Sequence, residues 1–218
     1  MHIRTSAGEL PVRLDGAKRA STLLVLGHGA GAGSEHQFME RFATGLAGES
    51  LRVCRFDFPY LAAGRKTPDR QPVLEKAFRE VADVARADHD RCILGGKSLG
   101  GRIASLVVAS GYDADALVFL GYPLHPPGRP DRIRDAHLRE ISAPMLFVEG
   151  TRDPFCPLDT LERVRSGLDA PTDVAVVEDG DHSFKVRKSS GRDTPTAWAE
   201  AVEEIKKWLN ARGLVDGD

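Results

Sequence analysis

The sequence lacks several features that would assign it to whole classes of protein. Its 218 residues include 30 Lys and Arg against 32 Asp and Glu, which leaves a net charge of −2 and no basic excess for a nucleic-acid backbone. Its longest apolar runs, such as Thr22–Leu26, are far shorter than the ~20 residues that a membrane-spanning helix requires. We therefore expect neither nucleic acid nor a membrane as a partner.

Cysteine is also scarce, with three residues and no C-x-x-C spacing. Cys54 and Cys92 lie in apolar runs that are typical of the core, whereas Cys156 follows Asp-Pro-Phe in a predicted loop, which favours exposure. No cluster of His, Cys, Asp and Glu has zinc-site spacing, so we expect no metal and no cofactor. The start of the chain has no long apolar core of a signal peptide, and the prediction is a cytoplasmic location.

Short apolar runs rich in β-branched residues alternate with longer amphipathic stretches, and this pattern predicts a mostly parallel sheet with helices on both faces. One α/β domain over residues 1–218 fits the length. A further alternating run, Glu9–Leu14, predicts a leading antiparallel edge strand. The runs predicted as buried strands are Thr22–Leu26, Leu51–Phe56, Cys92–Leu94, Ala116–Leu120, Met145–Val148 and Val174–Val177.

Capping residues mark the starts of two predicted helices. Ser34 with Gln37 forms a capping-box pattern, and Thr194 with Pro195 is typical of a helix start. Between the strands that end at Leu120 and begin near Met145, a helix over 131–140 is expected. The remaining residues, 121–130, are too few for a lid domain. The tail, residues 215–218, is expected to be frayed.

The strongest chemical signal is the segment Gly96–Gly101, Gly-Lys-Ser-Leu-Gly-Gly, between a strand and a helical stretch. This is the context of a G-x-S-x-G elbow, in which a sharp turn presents a serine hydroxyl at the carboxyl end of a strand. Ser98 is therefore the predicted nucleophile. Lys97 and Arg102 flank it, and we interpret them as solvated charges at the start of the helix.

A second glycine-rich segment, Gly27–Gly33, directly follows a strand. It resembles a G-x-G-x-x-G dinucleotide loop, but Ala32 stands where the last glycine is required. A serine hydrolase needs two backbone N–H donors for the oxyanion. We predict the N–H groups of Leu99 and Ala30 in this role, and we interpret His28 as a residue that holds the loop.

The acid and the base of a serine triad are expected after later strands, in the order Ser, Asp, His. Asp153 follows the strand that begins at Met145, and His182 follows the strand that ends at Val177. Together with Ser98 they predict acyl transfer from a small-molecule substrate, in which His182 takes the serine proton and Asp153 orients the imidazole ring.

Four stretches, namely Gly96–Gly101, His28–Gly31, Gly150–Pro154 and Gly180–Phe184, resemble the motifs of the α/β-hydrolase superfamily. Three more resemble a small, lidless subgroup close to dienelactone hydrolases: Arg55–Tyr60, Gly121–Gly128 and Asp181–Lys185. That subgroup also includes hydrolase-like domains of testis-expressed and NSL-complex proteins. The resemblance implies the α/β-hydrolase fold without a lid. Dienelactone hydrolases use a cysteine nucleophile where this chain has Ser98, which argues against a dienelactone substrate.

Two functions therefore stay open at the level of sequence. The first is a serine hydrolase of esterase, thioesterase or lactonase type with an open, shallow pocket. The second is a catalytically silent interaction module on the same fold, and the presence of the whole triad favours the first. Candidate substrate contacts are Tyr60, Tyr122, His125 and Phe155. The sequence predicts no particular oligomeric state.

Overall fold

The computed structural model describes residues 1–215, which form one eight-stranded sheet; the last three residues of the predicted frayed tail lie outside this range. Its order is β1-β2-β4-β3-β5-β6-β7-β8. The pairs β1–β2 and β2–β4 are antiparallel and all the others are parallel, which confirms the predicted mostly parallel sheet. The strands are β1 (His2–Thr5), β2 (Gly8–Asp15), β3 (Thr22–Gly27), β4 (Leu51–Phe56), β5 (Arg91–Lys97), β6 (Ala116–Leu120), β7 (Met145–Gly150) and β8 (Thr172–Val177).

Helices cover both faces of the sheet, as predicted. They are α1 (Gln37–Leu46), α2 (Pro59–Ala62), α3 (Gln71–Ala85), α4 (Leu99–Ala109), α5 (Leu158–Arg165) and α6 (Thr194–Ala211). Phe78 of α3 and Ile103 of α4 belong to one buried cluster, and Phe42 of α1 and Ile205 of α6 belong to a second one. Two separate cores, one on each face, therefore enclose the central strands. Within residues 1–215, no helix is long and apolar enough to span a membrane.

Two strand predictions need correction at the sheet edges. The strand predicted over Glu9–Leu14 is not the edge, because β1 pairs with its outer side. At the other edge, β8 was predicted to be buried, but only Val177 of its six residues is buried and Val176 is 49% exposed. An edge strand packs against one neighbour only, and part of its apolar surface consequently stays in contact with solvent.

The helix starts also differ from the predictions. The N-cap of α1 is His36, whose Nδ1 accepts a hydrogen bond from the Phe38 N–H at 3.2 Å. Ser34 does not cap the helix, because it lies two residues before the cap. Its own N–H donates to Asp57 Oδ1 at 2.7 Å. The N-cap of α6 is Asp193, one residue before the predicted cap at Thr194.

The connection from β6 to β7 carries no lid. The α-helix predicted over 131–140 is wrong, because this stretch contains only a 3-10 helix, Ala136–Glu140. The backbone before it is engaged in turns, since the Arg132 N–H donates to Arg129 O and the Arg134 N–H donates to Leu124 O. The connection from β6 to β7 therefore places turns and no lid domain over the carboxyl edge of the sheet.

Candidate active site

Ser98 occupies the turn between β5 and α4. Its backbone lies at φ 50° and ψ −111°, a region that a non-glycine residue enters only when the surrounding structure holds it there. Two hydrogen bonds fix this turn: the Ser98 N–H donates to Leu120 O at 3.1 Å, and its carbonyl accepts from the Arg102 N–H at 3.0 Å. The strained turn presents the serine hydroxyl at the carboxyl edge of the sheet.

The glycines of the elbow allow this turn to approach β3. A methyl group on Gly100 would lie 2.0 Å from the carbonyl oxygen of Gly27, and one on Gly96 would lie 2.3 Å from the same atom. Gly96 also has φ 154°, a conformation that side chains rarely adopt. The G-x-S-x-G pattern is thus required here by close backbone packing.

Ser98, His182 and Asp153 form one hydrogen-bonded chain. His182 Nε2 lies 2.9 Å from Ser98 Oγ, and His182 Nδ1 lies 2.6 Å from Asp153 Oδ2. The second carboxylate oxygen of Asp153 accepts from the Phe155 N–H at 2.8 Å, which fixes the carboxylate plane. Because a carboxylate can only accept at Nδ1, this nitrogen carries the proton, and Nε2 is left with a lone pair toward the hydroxyl.

The loops that carry Asp153 and His182 are packed against each other. A methyl group on Gly150 would lie 2.2 Å from Gly180 O, and the Arg152 N–H donates to the same oxygen at 2.8 Å. The turn around His182 is closed by Asp181, whose Oδ1 accepts from two backbone N–H groups, those of Ser183 and Lys185, at 2.8 and 2.9 Å. These contacts therefore fix the backbone of the two loops, and the Asp153 carboxylate orients the imidazole ring.

The predicted oxyanion donors belong to two segments near the nucleophile: Leu99 directly follows Ser98, and Ala30 follows Gly29, on which a methyl group would lie 3.8 Å from Ser98 Cβ. Leu99 is the first residue of α4, where N–H groups have no partner inside the helix. Ala30 lies in the exposed loop after β3. His28 holds the base of that loop: its Nδ1 bonds to Gly29 O at 2.8 Å and its Nε2 accepts from the Phe58 N–H at 3.1 Å. Burial lowers the pKa of His28, so the ring stays neutral.

The four predicted substrate contacts divide into one residue beside the triad and three buried ones. Phe155 is half-buried, and its ring centre lies 4.7 Å from that of His182. His125 is buried and both its ring nitrogens bond to carbonyls, those of Pro126 and Pro154. Tyr60 and Tyr122 are fully buried. Their prediction as pocket residues needs correction, because their rings pack in the core and have no surface for a substrate.

Tyr122 belongs to a buried polar network, not to a pocket. Its hydroxyl lies 3.0 Å from Ser105 Oγ and 3.1 Å from His137 Nε2. Burial, together with the nearby charge of Arg102, lowers the pKa of His137 to about 4. The network therefore contains a neutral imidazole at neutral pH.

We expect this network to make the fold sensitive to acid. Between pH 6.5 and about 4, His137 binds protons in the unfolded chain more than in the folded one, so the free energy of unfolding falls as the pH falls. Replacing His137 with Gln should reduce this slope by about 0.7 kcal/mol per pH unit, half of the one-proton slope because the ring is only partly buried. Urea unfolding of both proteins at pH 6 and pH 5 measures the difference. Equal slopes of the free energy of unfolding against pH in the two proteins would contradict this prediction.

The prediction that Lys97 is a solvated charge is wrong, because its side chain is buried beside the triad. The alternation of side chains between the two faces of β5 could have predicted this burial. Lys97 shares a sheet face with Ile93, and that face packs against α1 and α6. Glu149 was also missed. It is the last but one residue of β7, it is fully buried, and its Oε1 accepts from the Tyr122 N–H at 2.6 Å.

Two buried groups near the triad have strongly shifted ionisation. Burial and the neighbouring Asp153 raise the pKa of Glu149 well above its usual range. Cys156, predicted to be exposed, is instead buried behind Asp153, and burial raises the pKa of its thiol. It is therefore an inert thiol. In the described part of the chain, no group of three or more His, Cys, Asp or Glu residues is placed to hold a metal ion.

Comparisons with known proteins agree with the fold. Residues 20–210 match a family described as alpha/beta hydrolase domain. An alpha-beta serine hydrolase homologue from Coxiella burnetii is 18% identical with a TM-score of 0.77, and the match covers 96% of each chain. An α/β serine hydrolase without a lid from Xanthomonas campestris is 17% identical, with a TM-score of 0.72 over 95% of this chain and 93% of that one. A dienelactone hydrolase from Anabaena variabilis is 17% identical, with a TM-score of 0.74 over 97% and 95%.

Proposed function

Because the chain belongs to the alpha/beta hydrolase domain family, we propose that it is a serine hydrolase that cleaves small carboxylic esters, thioesters or lactones. The observation that carries this proposal is the unbroken hydrogen-bonded chain from Ser98 Oγ through His182 to Asp153. A silent interaction module would need none of these contacts, and a strained turn that presents a serine to an aligned base has a cost in stability.

The chemistry would proceed in two steps. Ser98 Oγ attacks the carbonyl carbon while His182 Nε2 takes its proton, and Asp153 stabilises the imidazolium ion that forms. The N–H groups of Leu99 and Ala30 donate to the oxyanion of the tetrahedral intermediate. His182 then protonates the leaving group. Water hydrolyses the acyl-enzyme with His182 again acting as base, which restores the free serine.

The open carboxyl edge of the sheet supports a small substrate. Ser98 and Phe155 are half-buried, the His182 side chain is 23% exposed, and the connection from β6 to β7 carries no lid. Deep, lidded sites bury long acyl chains, whereas a shallow site can bury only a short one. We therefore propose a short acyl group as the substrate of Ser98, with the Phe155 ring against its apolar part.

The direct test is covalent labelling by a fluorophosphonate probe, which reacts with an activated serine. We expect the wild type to be labelled, and replacement of Ser98 with Ala or of His182 with Ala to reduce the labelling rate about 10³-fold or more. Ser110→Ala is the matched control, because Ser110 is an exposed serine at the far end of α4. Its labelling rate should equal that of the wild type.

Each outcome decides between the two functions. Labelling that disappears in both triad variants and persists in Ser110→Ala supports the hydrolase, and a screen of short esters, thioesters and lactones would then define the leaving group. A folded wild type that the probe does not label rejects the hydrolase and favours the interaction module. Circular dichroism of all four proteins shows whether each is folded.

A further inference from the structure

The Lys97 side chain ends in a place where a charged group is rarely found. It is 8% exposed, and its Nζ atom is buried without a hydrogen-bond partner among residues 1–215. The centre of the Phe38 ring on α1 lies 5.7 Å from Nζ. That distance permits a cation–π interaction with the ammonium group. A buried ammonium group without a hydrogen bond is costly in stability, which favours a functional role for Lys97.

Gly121 has no side chain that could separate the Lys97 ammonium group from the His182 imidazole ring. It has φ 67°, and a methyl group on its Cα would lie 3.0 Å from Lys97 Nζ and 3.4 Å from His182 Nδ1. The two nitrogens thus flank one position that no side chain fills. A charge on Lys97 therefore acts on His182 across a short distance.

The charged groups that face Lys97 come from the carboxyl end of β7 and from the loops after β7 and β8. They are Glu149, Asp153 and Asp181 together with the neighbouring His182, while α1 contributes the Phe38 ring. Burial lowers the pKa of Lys97 to about 8, although the three carboxyl groups oppose this shift. Burial also raises the pKa of Glu149 well above its usual range, which favours its neutral form and leaves Asp153 and Asp181 facing two potential cations, Lys97 and His182.

A second positive charge beside Lys97 is disfavoured, because like charges at short range raise each other's energy. We propose that Lys97 is a positioning residue that acts through His182: its buried ammonium group opposes a positive charge on the imidazole ring and so helps to keep the ring available as the base. This proposal rests on the proposed function, since it assigns a purpose to a neutral imidazole.

The test compares Lys97→Met, which removes the charge and keeps the length of the side chain, with Lys97→Arg, which keeps the charge. NMR of the His182 ring carbon, in proteins that also carry Ser98→Ala, gives the midpoint of the ring titration without any need for turnover. We expect Lys97→Met to raise this midpoint by about one pH unit, and Lys97→Arg to leave it within a few tenths. Lys66→Met, at an exposed lysine, is the control and should match the wild type.

The wild type supplies a second measurement should Lys97→Met fail to fold. Its His182 resonance should show a further change near pH 8, where Lys97 loses its proton, and this change should be absent in Lys97→Arg. In Ser98-containing proteins, the acidic limb of the probe-labelling rate should move with the ring midpoint. An unchanged midpoint in folded Lys97→Met, or no change near pH 8 in the wild type, overturns the proposal. If Lys97→Met shifts the midpoint of the His182 titration but the probe labels none of the proteins, the hydrolase function is rejected and the action of Lys97 on His182 is not.

Discussion

Replacing Asp153 with asparagine is expected to lower kcat/KM for a short chromogenic ester about 10⁴-fold while the fold stays intact. The asparagine carbonyl oxygen can still accept from the Phe155 N–H, as Asp153 Oδ1 does at 2.8 Å. Its amide group then replaces Oδ2 and faces His182 Nδ1. An amide N–H needs an acceptor there, so the imidazole must move its own proton to Nε2.

That change of tautomer removes the base. Nε2 lies 2.9 Å from Ser98 Oγ, and once it carries a proton it can no longer accept the proton of the serine. The opposite orientation of the asparagine is no better, because its amide group would then meet the Phe155 N–H, and two donors would face each other. The orientation that would keep the productive tautomer is disfavoured by this clash of donors, so the loss should appear in the labelling rate as well as in ester hydrolysis.

The control for this experiment is Asp169→Asn, which makes the same chemical change at an exposed carboxylate. It should keep full activity. The thermal midpoints of both variants should lie close to that of the wild type. If folded Asp153→Asn kept more than a tenth of the wild-type rate, Asp153 would not be the acid of the triad, and the proposed mechanism would lose its orienting group.

The sequence predicts the parallel strands of the sheet and the positions of the triad for one physical reason. Continuous apolar runs mark strands buried on both faces, and the carboxyl ends of parallel strands meet at one edge. Residues that directly follow those strands, such as Ser98, Asp153 and His182, therefore come close together although 84 residues separate the first from the last. No long-range contact had to be known to select them.

Other features depend on contacts that a local pattern does not contain. The N-cap of α1 is His36, two residues after Ser34, and the Ser34 N–H is instead bound by Asp57, which is distant in the sequence. The sequence does not show how deeply the loops of Tyr60 and Tyr122 are placed, and in the structure both rings are buried. The central strands were thus predictable, whereas helix boundaries, the segment 131–140 and the burial of loop residues were not.

The burial of Lys97 could have been predicted from strand geometry, although the general rarity of buried lysine indicated exposure. Lysine is rarely buried, which favours exposure, but the alternation along β5 places Lys97 on the face of Ile93 and Gly95, in a strand with neighbours on both sides. A burial prediction would have followed from strand geometry alone. What no pattern supplies is the space at Gly121, because that space is created by a loop from another strand.

Replacing Gly100 with alanine is expected to have the largest effect on stability, lowering the free energy of unfolding by more than about 4 kcal/mol. The new methyl group would lie 2.0 Å from the carbonyl oxygen of Gly27 and 2.2 Å from its carbonyl carbon. Both are backbone atoms of β3, which is paired with β4 on one side and β5 on the other, so no rotamer change can relieve the overlap. The start of α4 must move away from the sheet.

Such a movement would also separate Ser98 from His182, because Ser98 immediately precedes α4. We therefore expect Gly100→Ala to lose probe labelling even in the fraction that folds. Gly167→Ala is the matched control: its methyl group would meet first the Arg139 guanidinium at 3.3 Å, the end of a flexible side chain, and should cost less than about 1 kcal/mol. Urea unfolding measures both. A soluble Gly100→Ala protein as stable as Gly167→Ala would show that α4 and β3 can separate freely, and the elbow would then not owe its geometry to this contact.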